Sequence, residues 1–394
     1  MYTIGAAHYC LISVLFFLFL VNGVMLDIGF RLIPLHIFSV LVFVFLLIVR
    51  RLKFVELTWI EIFFSSFLLF ALFSSLYTFS HDFSLRFIMG VAVVAFCYFV
   101  TKSLCLNMTS VMHGAMNIAF SAFILLTLCL YFAGLLSADI TAEHVDFYGV
   151  TIEKGIPRMI GLNNDPNICA LASLIPLFFF LMKKGIIAKF FFFLSLFCVL
   201  ATLSRGGLIA AVAGVVSCII ILSNKGRFHF LLITGILVTS MLIGALFSYD
   251  LIQPILEKRT SGISTGGGRF EVWMNAAKLI SERPIHGYGI FTFREVLGNT
   301  YEIEKFAHNT YIEVFLETGI IGLFLFLLFI FSFLVNGYLV AKTSSNYSFL
   351  FPLNVGVSTA LLGLSMYINP IFWFVILLNS LAALTLFRYK NCEI

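Results

Sequence analysis

The chain has 394 residues, of which 61% are hydrophobic and only 11% charged, with a mean hydropathy of +1.08. Soluble domains carry about 25% charged residues, so this chain has too few to coat a water-soluble globule, while its 48 phenylalanines suit lipid-facing helices. The net charge of +5 comes without a basic tract or aromatic-basic interleaving, which argues against nucleic acid. The expected class is an all-α, polytopic integral membrane protein.

A transmembrane helix needs about 20 mostly apolar residues. In chain order such runs fall at Tyr9–Val24, Ile33–Val49, Leu57–Tyr77, Phe83–Val100, Ala115–Leu136, Ile168–Met182 and Ile187–Leu203. They continue at Leu208–Leu222, Phe228–Phe247, Ile312–Val340, Phe349–Met366 and Ile371–Phe387. About twelve spans result, although the short pair around Ser204 also reads as one interrupted hairpin. The first run lacks a basic n-region and reads as a retained helix rather than a cleaved signal.

Orientation follows from Lys and Arg in short loops. With a cytoplasmic N-terminus, the inner segments hold twelve: Arg50, Arg51, Lys53, Lys102, Lys183, Lys184, Lys189, Lys225, Arg227, Lys342, Arg388 and Lys390. The short outer loops hold three: Arg31, Arg86 and Arg205. Both termini are therefore expected in the cytoplasm. The organisation reads as N-terminal spans (1–136), an outer loop (137–166), central spans (167–247), a large outer loop (248–309) and C-terminal spans (310–394). The eight cysteines form no disulfide framework and no metal-ligand spacing.

The first long outer loop carries Asp139, Glu143, Asp146, Glu153 and Asp165. In the second, Phe270, Trp273, Met274, Ala277 and Ile280 recur at helical spacing, as expected of an amphipathic helix on a membrane surface. Glycines 262 and 266–268 precede it as a flexible lead-in, and Arg283-Pro284 and Gly287-Tyr288-Gly289 mark turns after it. Glu61 and Arg86 lie near span ends, so the mid-membrane ionisable groups of ion-coupled transporters are missing.

Four basic residues fall at outer boundaries. Arg158 stands just before a helix start, with Asp165 as N-cap and Pro166 at the first position. The positive end of that helix and the arginine would together favour an anion, or the arginine anchors to lipid phosphate. Arg205, in Ser204-Arg205-Gly206-Gly207, sits between two apolar runs with almost no loop; it either binds a ligand or snorkels. Arg269 opens the amphipathic helix and is a ligand group or an interfacial anchor. His308 precedes Asn309-Thr310-Tyr311 at the start of a long run and is either a cap or a reactive imidazole.

These strings resemble motifs of the O-antigen ligase/polymerase superfamily. They comprise Arg158-Met159-Ile160-Gly161 with Asn163, Pro166 and Asn167; Ser204-Arg205-Gly206-Gly207; Gly268-Arg269 with Trp273, Pro284, Gly287 and Gly289; and His308-Asn309-Thr310-Tyr311 followed by Glu317, Gly319 and Gly322. They occur in the superfamily's order between Arg158 and Gly322, and the rest of the chain resembles it only in hydropathy.

The resemblance implies a GT-C-like glycosyltransferase taking glycans from an undecaprenyl-diphosphate carrier at the periplasmic face of the bacterial inner membrane. Arg158, Arg205 and Arg269 would bind the diphosphate, and His308 would act on the acceptor hydroxyl with Arg205 completing the catalytic pair. Asn167, Asn309, Tyr311 and Glu317 would support them. Implied partners are lipid-linked donor and acceptor, membrane lipids, and a chain-length regulator and flippase.

The chemistry agrees. Guanidinium groups stabilise the charge growing on a diphosphate leaving group, and a neutral imidazole can take a proton. A single displacement would invert the anomeric centre, and no Asp-x-Asp pair offers a divalent metal a home. No cofactor is expected. Glu302 and Glu304 read as solvated charge, while Asp27 keeps a metal-using lipid-sugar transferase open. Polymerase is preferred to ligase because the Arg158–Asn167 segment resembles polymerases more. A flippase or exporter of lipid-linked saccharide would also want outer arginines, but the spans lack a polar route.

Reporter fusions test the topology. A fusion at Gly185 should read cytoplasmic, and fusions at Gly149 and Gly298 periplasmic. A cytoplasmic reading at Gly298 would put Arg269 and His308 on the wrong side.

Overall fold

The computed structural model describes residues 2–27, 31–53, 56–137, 144–153, 155–221 and 269–392. The expected span at Phe228–Phe247, glycines 262 and 266–268, Asp139 and Glu143 lie outside them. The helices otherwise follow the apolar runs: α1 (Tyr2–Phe19), α2 (Pro34–Ile48), α3 (Trp59–Ser74), α4 (His81–Asn107), α5 (Met112–Ser137), α6 (Pro166–Met182), α7 (Ile186–Ala201) and α8 (Arg205–Ile221). The second half gives α9 (Arg269–Glu282), α10 (Phe293–Tyr301), α11 (Thr310–Thr343), α12 (Leu350–Ala360) and α13 (Pro370–Cys392).

Among the described residues, α4, α11 and the segments Trp59–Tyr77 and Thr109–Ser137 are long and apolar enough to cross a membrane. Shorter apolar helices stand at α1, α2, α6, α7, α8 and α13. The two short runs around Ser204 form separate helices rather than one span. The principal pairings are α8 with α12, α6 with α7, α11 with α3, and α1 with α5. A phenylalanine-rich core links them, with Phe374 5.2 Å from both Phe16 and Phe19 and Phe120 5.0 Å from Phe179 between ring centroids.

Two expectations need correction, and one helix shows a second face. The loop at 137–166 is not purely irregular in an all-α chain. It carries an antiparallel sheet of β3 (His144–Phe147), β4 (Gly149–Glu153) and β5 (Ile156–Gly161), after the small β1–β2 pair (Leu26–Asp27, Arg31–Leu32). Val150, Ile152 and Met159 are buried, and the sheet lies on the end of α5. Gly134 permits that contact, because a Cβ there would collide with the Tyr148 carbonyl.

The run Phe349–Met366 is helical only to Ala360. Beyond it the Leu361 and Leu364 carbonyls turn outward and accept the Thr310 N–H at 2.9 and 3.1 Å. Finally, α9 buries Val272, Ala276 and Leu279 against a small separate core with Tyr288, Phe293, Val296, Leu297 and Leu316. Phe270 and Met274, on the stripe expected to meet a membrane surface, are 56% and 65% exposed. The helix thus has two apolar faces, one claimed by the protein.

The bundle has two unlike ends. At one, Lys53 Nζ donates to the Leu106 carbonyl (3.1 Å), Asn107 to that of Arg51 (2.9 Å) and Lys183 Nζ to Asn117 Oδ1 (2.9 Å). There Lys102 pairs with buried Glu61, which also accepts from Tyr98, Ser380 and Thr58. At the other end the starts of α6, α8 and α11 come together.

A break in α11 shapes that second end. Gly319 takes φ 66° and ψ −166°, a conformation open to glycine. The Leu316 and Glu317 carbonyls then accept the Tyr288 and Gly289 N–H groups at 3.1 and 2.8 Å, and Ile320 N–H donates to the Pro284 carbonyl at 2.8 Å. A Cβ on Gly319 would strike the Ile285 backbone. Gly319→Ala should therefore cost more than about 1 kcal/mol and lower the thermal unfolding midpoint; Gly185→Ala, where a Cβ meets nothing within 4 Å but φ is also positive, separates backbone strain from collision.

Candidate functional site

The site is assembled from helix starts. Asp165 caps α6, its carboxylate accepting the Asn167 and Ile168 N–H groups at 2.7 and 3.2 Å, with Pro166 first in the helix. Ser204 caps α8 in the same way, its Oγ accepting the Gly207 N–H at 3.1 Å and donating to Asn167 Oδ1 at 2.7 Å. That bond ties the two starts together. A Cβ on Gly207 would collide with Ala170 of α6, so the glycine is what lets them approach. Asn309 caps α11 by accepting the Tyr311 and Ile312 N–H groups at 3.1 and 3.2 Å.

Three of the four predicted basic groups share one electrostatic neighbourhood. Partial burial lowers the Arg269 guanidinium from its ordinary value; Arg205 beside it pushes the same way and Asp165 opposes. Partial burial also lowers the His308 imidazole, with Arg269 adding to the effect and Asp165 opposing it. Arg205, the first residue of α8, is exposed, as is His308. The repulsion that Arg205 exerts on Arg269 is one an anion would relieve, and the positive ends of α6, α8 and α11 act in the same sense.

Arg158 is placed differently. It is buried on β5, with Nε donating to the Thr202 carbonyl at 3.0 Å and Nη1 paired to Glu153 at 2.7 Å. It holds the turn that precedes Arg205, and its charge is shared with a carboxylate. The supporting residues are likewise fixed: Tyr311 Oη donates to the Ser358 carbonyl at 2.9 Å, and buried Glu317 accepts from Tyr367 Oη at 2.6 Å and the Phe293 N–H at 3.2 Å. Glu317 and the Gly319 break together dock the 284–293 segment on α11. Gly287 and Gly289 are needed there because a Cβ would meet the Glu317 carbonyl and Thr78 respectively.

Sequence reasoning missed two residues that set His308. His308 has φ 47°, a left-handed conformation costly to a non-glycine residue. Buried Glu313 holds it by accepting the Ala307 N–H at 3.0 Å, and also a bond from the His308 backbone. Ser365 Oγ donates to the same carboxylate. On the other side, Trp273 Nε1 donates to the Ala307 carbonyl at 2.9 Å, so α9 grips the loop directly before the histidine. A carboxylate four residues into a helix was a readable signal; the Trp273 bond was not. Among the described residues no group of three or more His, Cys, Asp and Glu side chains gathers where it could hold a metal ion.

Residues 190–327 match the family model described as O-antigen ligase. The match supports the O-antigen ligase/polymerase superfamily. It covers Arg205, Arg269 and His308 and leaves Arg158 and Asn167 outside. No curated protein matches the chain.

The coupling of His308 to Arg269 can be measured directly. Isotope-edited NMR should give a His308 midpoint below the ordinary histidine value of about 6.5. In Arg269→Gln the repelling cation is gone, so the midpoint should rise; an unchanged midpoint would remove Arg269 from the imidazole's neighbourhood.

Proposed function

We propose that this protein polymerises undecaprenyl-diphosphate-linked oligosaccharide repeat units, of O-antigen or a related surface polysaccharide, by metal-independent inverting glycosyl transfer. The observation that carries the reading is the electrostatic coupling of Arg269 to Arg205, and of both Arg269 and His308 to each other and to Asp165, where α6, α8 and α11 begin. The O-antigen ligase family match supports activity on a lipid-linked glycan. The site would face the periplasm of a bacterial inner membrane, with both termini cytoplasmic.

In this reading Arg205 and Arg269 bind the donor diphosphate, and their repulsion in its absence becomes attraction in its presence. Arg158 acts through the Thr202 turn, orienting Arg205 rather than meeting the diphosphate, as its Glu153 pairing suggests. The acceptor hydroxyl oxygen attacks the donor sugar C1 while the C1–O bond to phosphate breaks. The electron pair leaves with the diphosphate, where fixed guanidinium groups stabilise it. His308, kept neutral by its surroundings, takes the hydroxyl proton. Asp165 stays beside it as a counter-charge for the imidazolium.

A second reading, transfer of finished polymer to lipid A–core, is favoured by the matched family's description as O-antigen ligase. The two are separated by acceptor demand. Purified enzyme given only undecaprenyl-diphosphate-linked repeat units in excess chelator should produce a ladder of increasing length. A ligase would leave that substrate untouched until lipid A–core was added. Arg205→Lys should lose most activity while the protein stays in the membrane, because lysine keeps the charge and loses the planar fork; His308→Ala should lose at least about a hundredfold. A strict metal requirement would overturn the mechanism in either reading.

A further inference from the structure

The opposite end of the bundle contains a second concentration of positive charge that the proposed chemistry does not use. A pocket of about 340 Å³ opens between the start of α5, the end of α6 and the turn joining α11 to α12. Its polar lining is His113, Lys183, Lys184, Ser345 and Asn346. Phe179, Met182 and Phe349 form its apolar side. No carboxylate lines it.

The pocket is organised. The Lys183 ammonium is held 4.5 Å above the Phe179 ring and donates to Asn117 Oδ1 at 2.9 Å, which fixes one charge at the wall. Burial lowers this ammonium from its ordinary value, a cost that an anion alongside would offset. His113 packs 5.3 Å from Phe179, and its Nδ1 is buried with no hydrogen-bond partner among the described residues. His113 lies in the first turn of α5, and Phe349 is the residue directly before α12, so both helices turn their positive ends this way. The charge asymmetry of the loops assigns this end to the cytoplasmic surface, where anionic lipid headgroups meet basic pockets between helices.

We propose that this pocket binds the phosphate of an anionic phospholipid, with Lys183 and Lys184 on the phosphate and the Phe179–Met182–Phe349 side against the start of an acyl chain. Lipid is favoured over a free phosphate ion because Phe179, Met182 and Phe349 form a continuous apolar side of the lining that adjoins the apolar ends of α6 and α12. The site is separate from the helix starts that carry Arg205 and Arg269, and the proposal stands whatever reaction occurs there.

The test uses the full-length protein in detergent, titrated with phosphatidylglycerol or with phosphatidylcholine of the same chains, and read by native mass spectrometry. Phosphatidylglycerol should be retained preferentially. Lys184→Gln should weaken that retention about fivefold, the effect expected of one lysine near an anionic surface, and Lys183→Gln/Lys184→Gln should weaken it further. Because Lys183 also bonds Asn117, Asn346→Leu provides a variant at an exposed position, and thermal unfolding without added lipid checks that each variant is folded. Equal retention of both lipids, or folded Lys184→Gln and Asn346→Leu variants that retain phosphatidylglycerol like the parent, would overturn the proposal. Displacement of the lipid by millimolar inorganic phosphate would overturn the lipid assignment in favour of a small-anion site.

Discussion

A helix that begins leaves its first N–H groups without intrahelical acceptors, and in this protein three helices begin against one another. The Asp165, Ser204 and Asn309 side chains satisfy part of that demand, each bonding N–H groups of its own helix. The Ser204–Asn167 bond then joins α6 to α8, and Thr310 joins α11 to the unwound stretch after α12. The uncapped remainder is a set of converging positive dipole ends, beside which Arg205 and Arg269 already strain against each other.

The loop carrying His308 depends on interactions made well away from the imidazole. Glu313 and Trp273 hold Ala307 from two sides, and the left-handed backbone at His308 is tolerated because both are in place. The 284–293 segment is held by the carbonyls that the Gly319 break exposes and by the Glu317 carboxylate. It also reaches the α3–α4 turn, where Phe79 N–H donates to the Tyr288 carbonyl at 2.8 Å and Ser84 Oγ to the Ile290 carbonyl at 2.8 Å. Helices α3 and α4, which carry none of the motifs, therefore brace the site from behind.

At the far end, charge is handled differently. Glu61 and Lys102 are buried together, a costly arrangement unless every polar atom is satisfied. Here the carboxylate takes donors from Tyr98, Ser380 and Thr58 as well, and the ammonium also reaches the Glu56 carbonyl. This network joins α3, α4 and α13. At the other end Arg269 lies in the field of both the Arg205 guanidinium and the Asp165 carboxylate.

The sequence by itself determined the apolar helical class, most of the long apolar helices outside 222–268, the Asp165–Pro166 helix start and the singling out of Arg205, Arg269 and His308. Those features are local: apolar runs long enough to satisfy their own backbone, caps that act within three residues, and charges stranded at run ends. Tertiary structure alone decided that Arg158 pairs with Glu153 across a hairpin, that 349–366 stops being helical at Ala360, and that α9 turns Val272 inward. It also decided the roles of Glu313 and Glu317. Each of these depends on a partner distant in the chain, a carbonyl or a packing face whose demand no periodicity records.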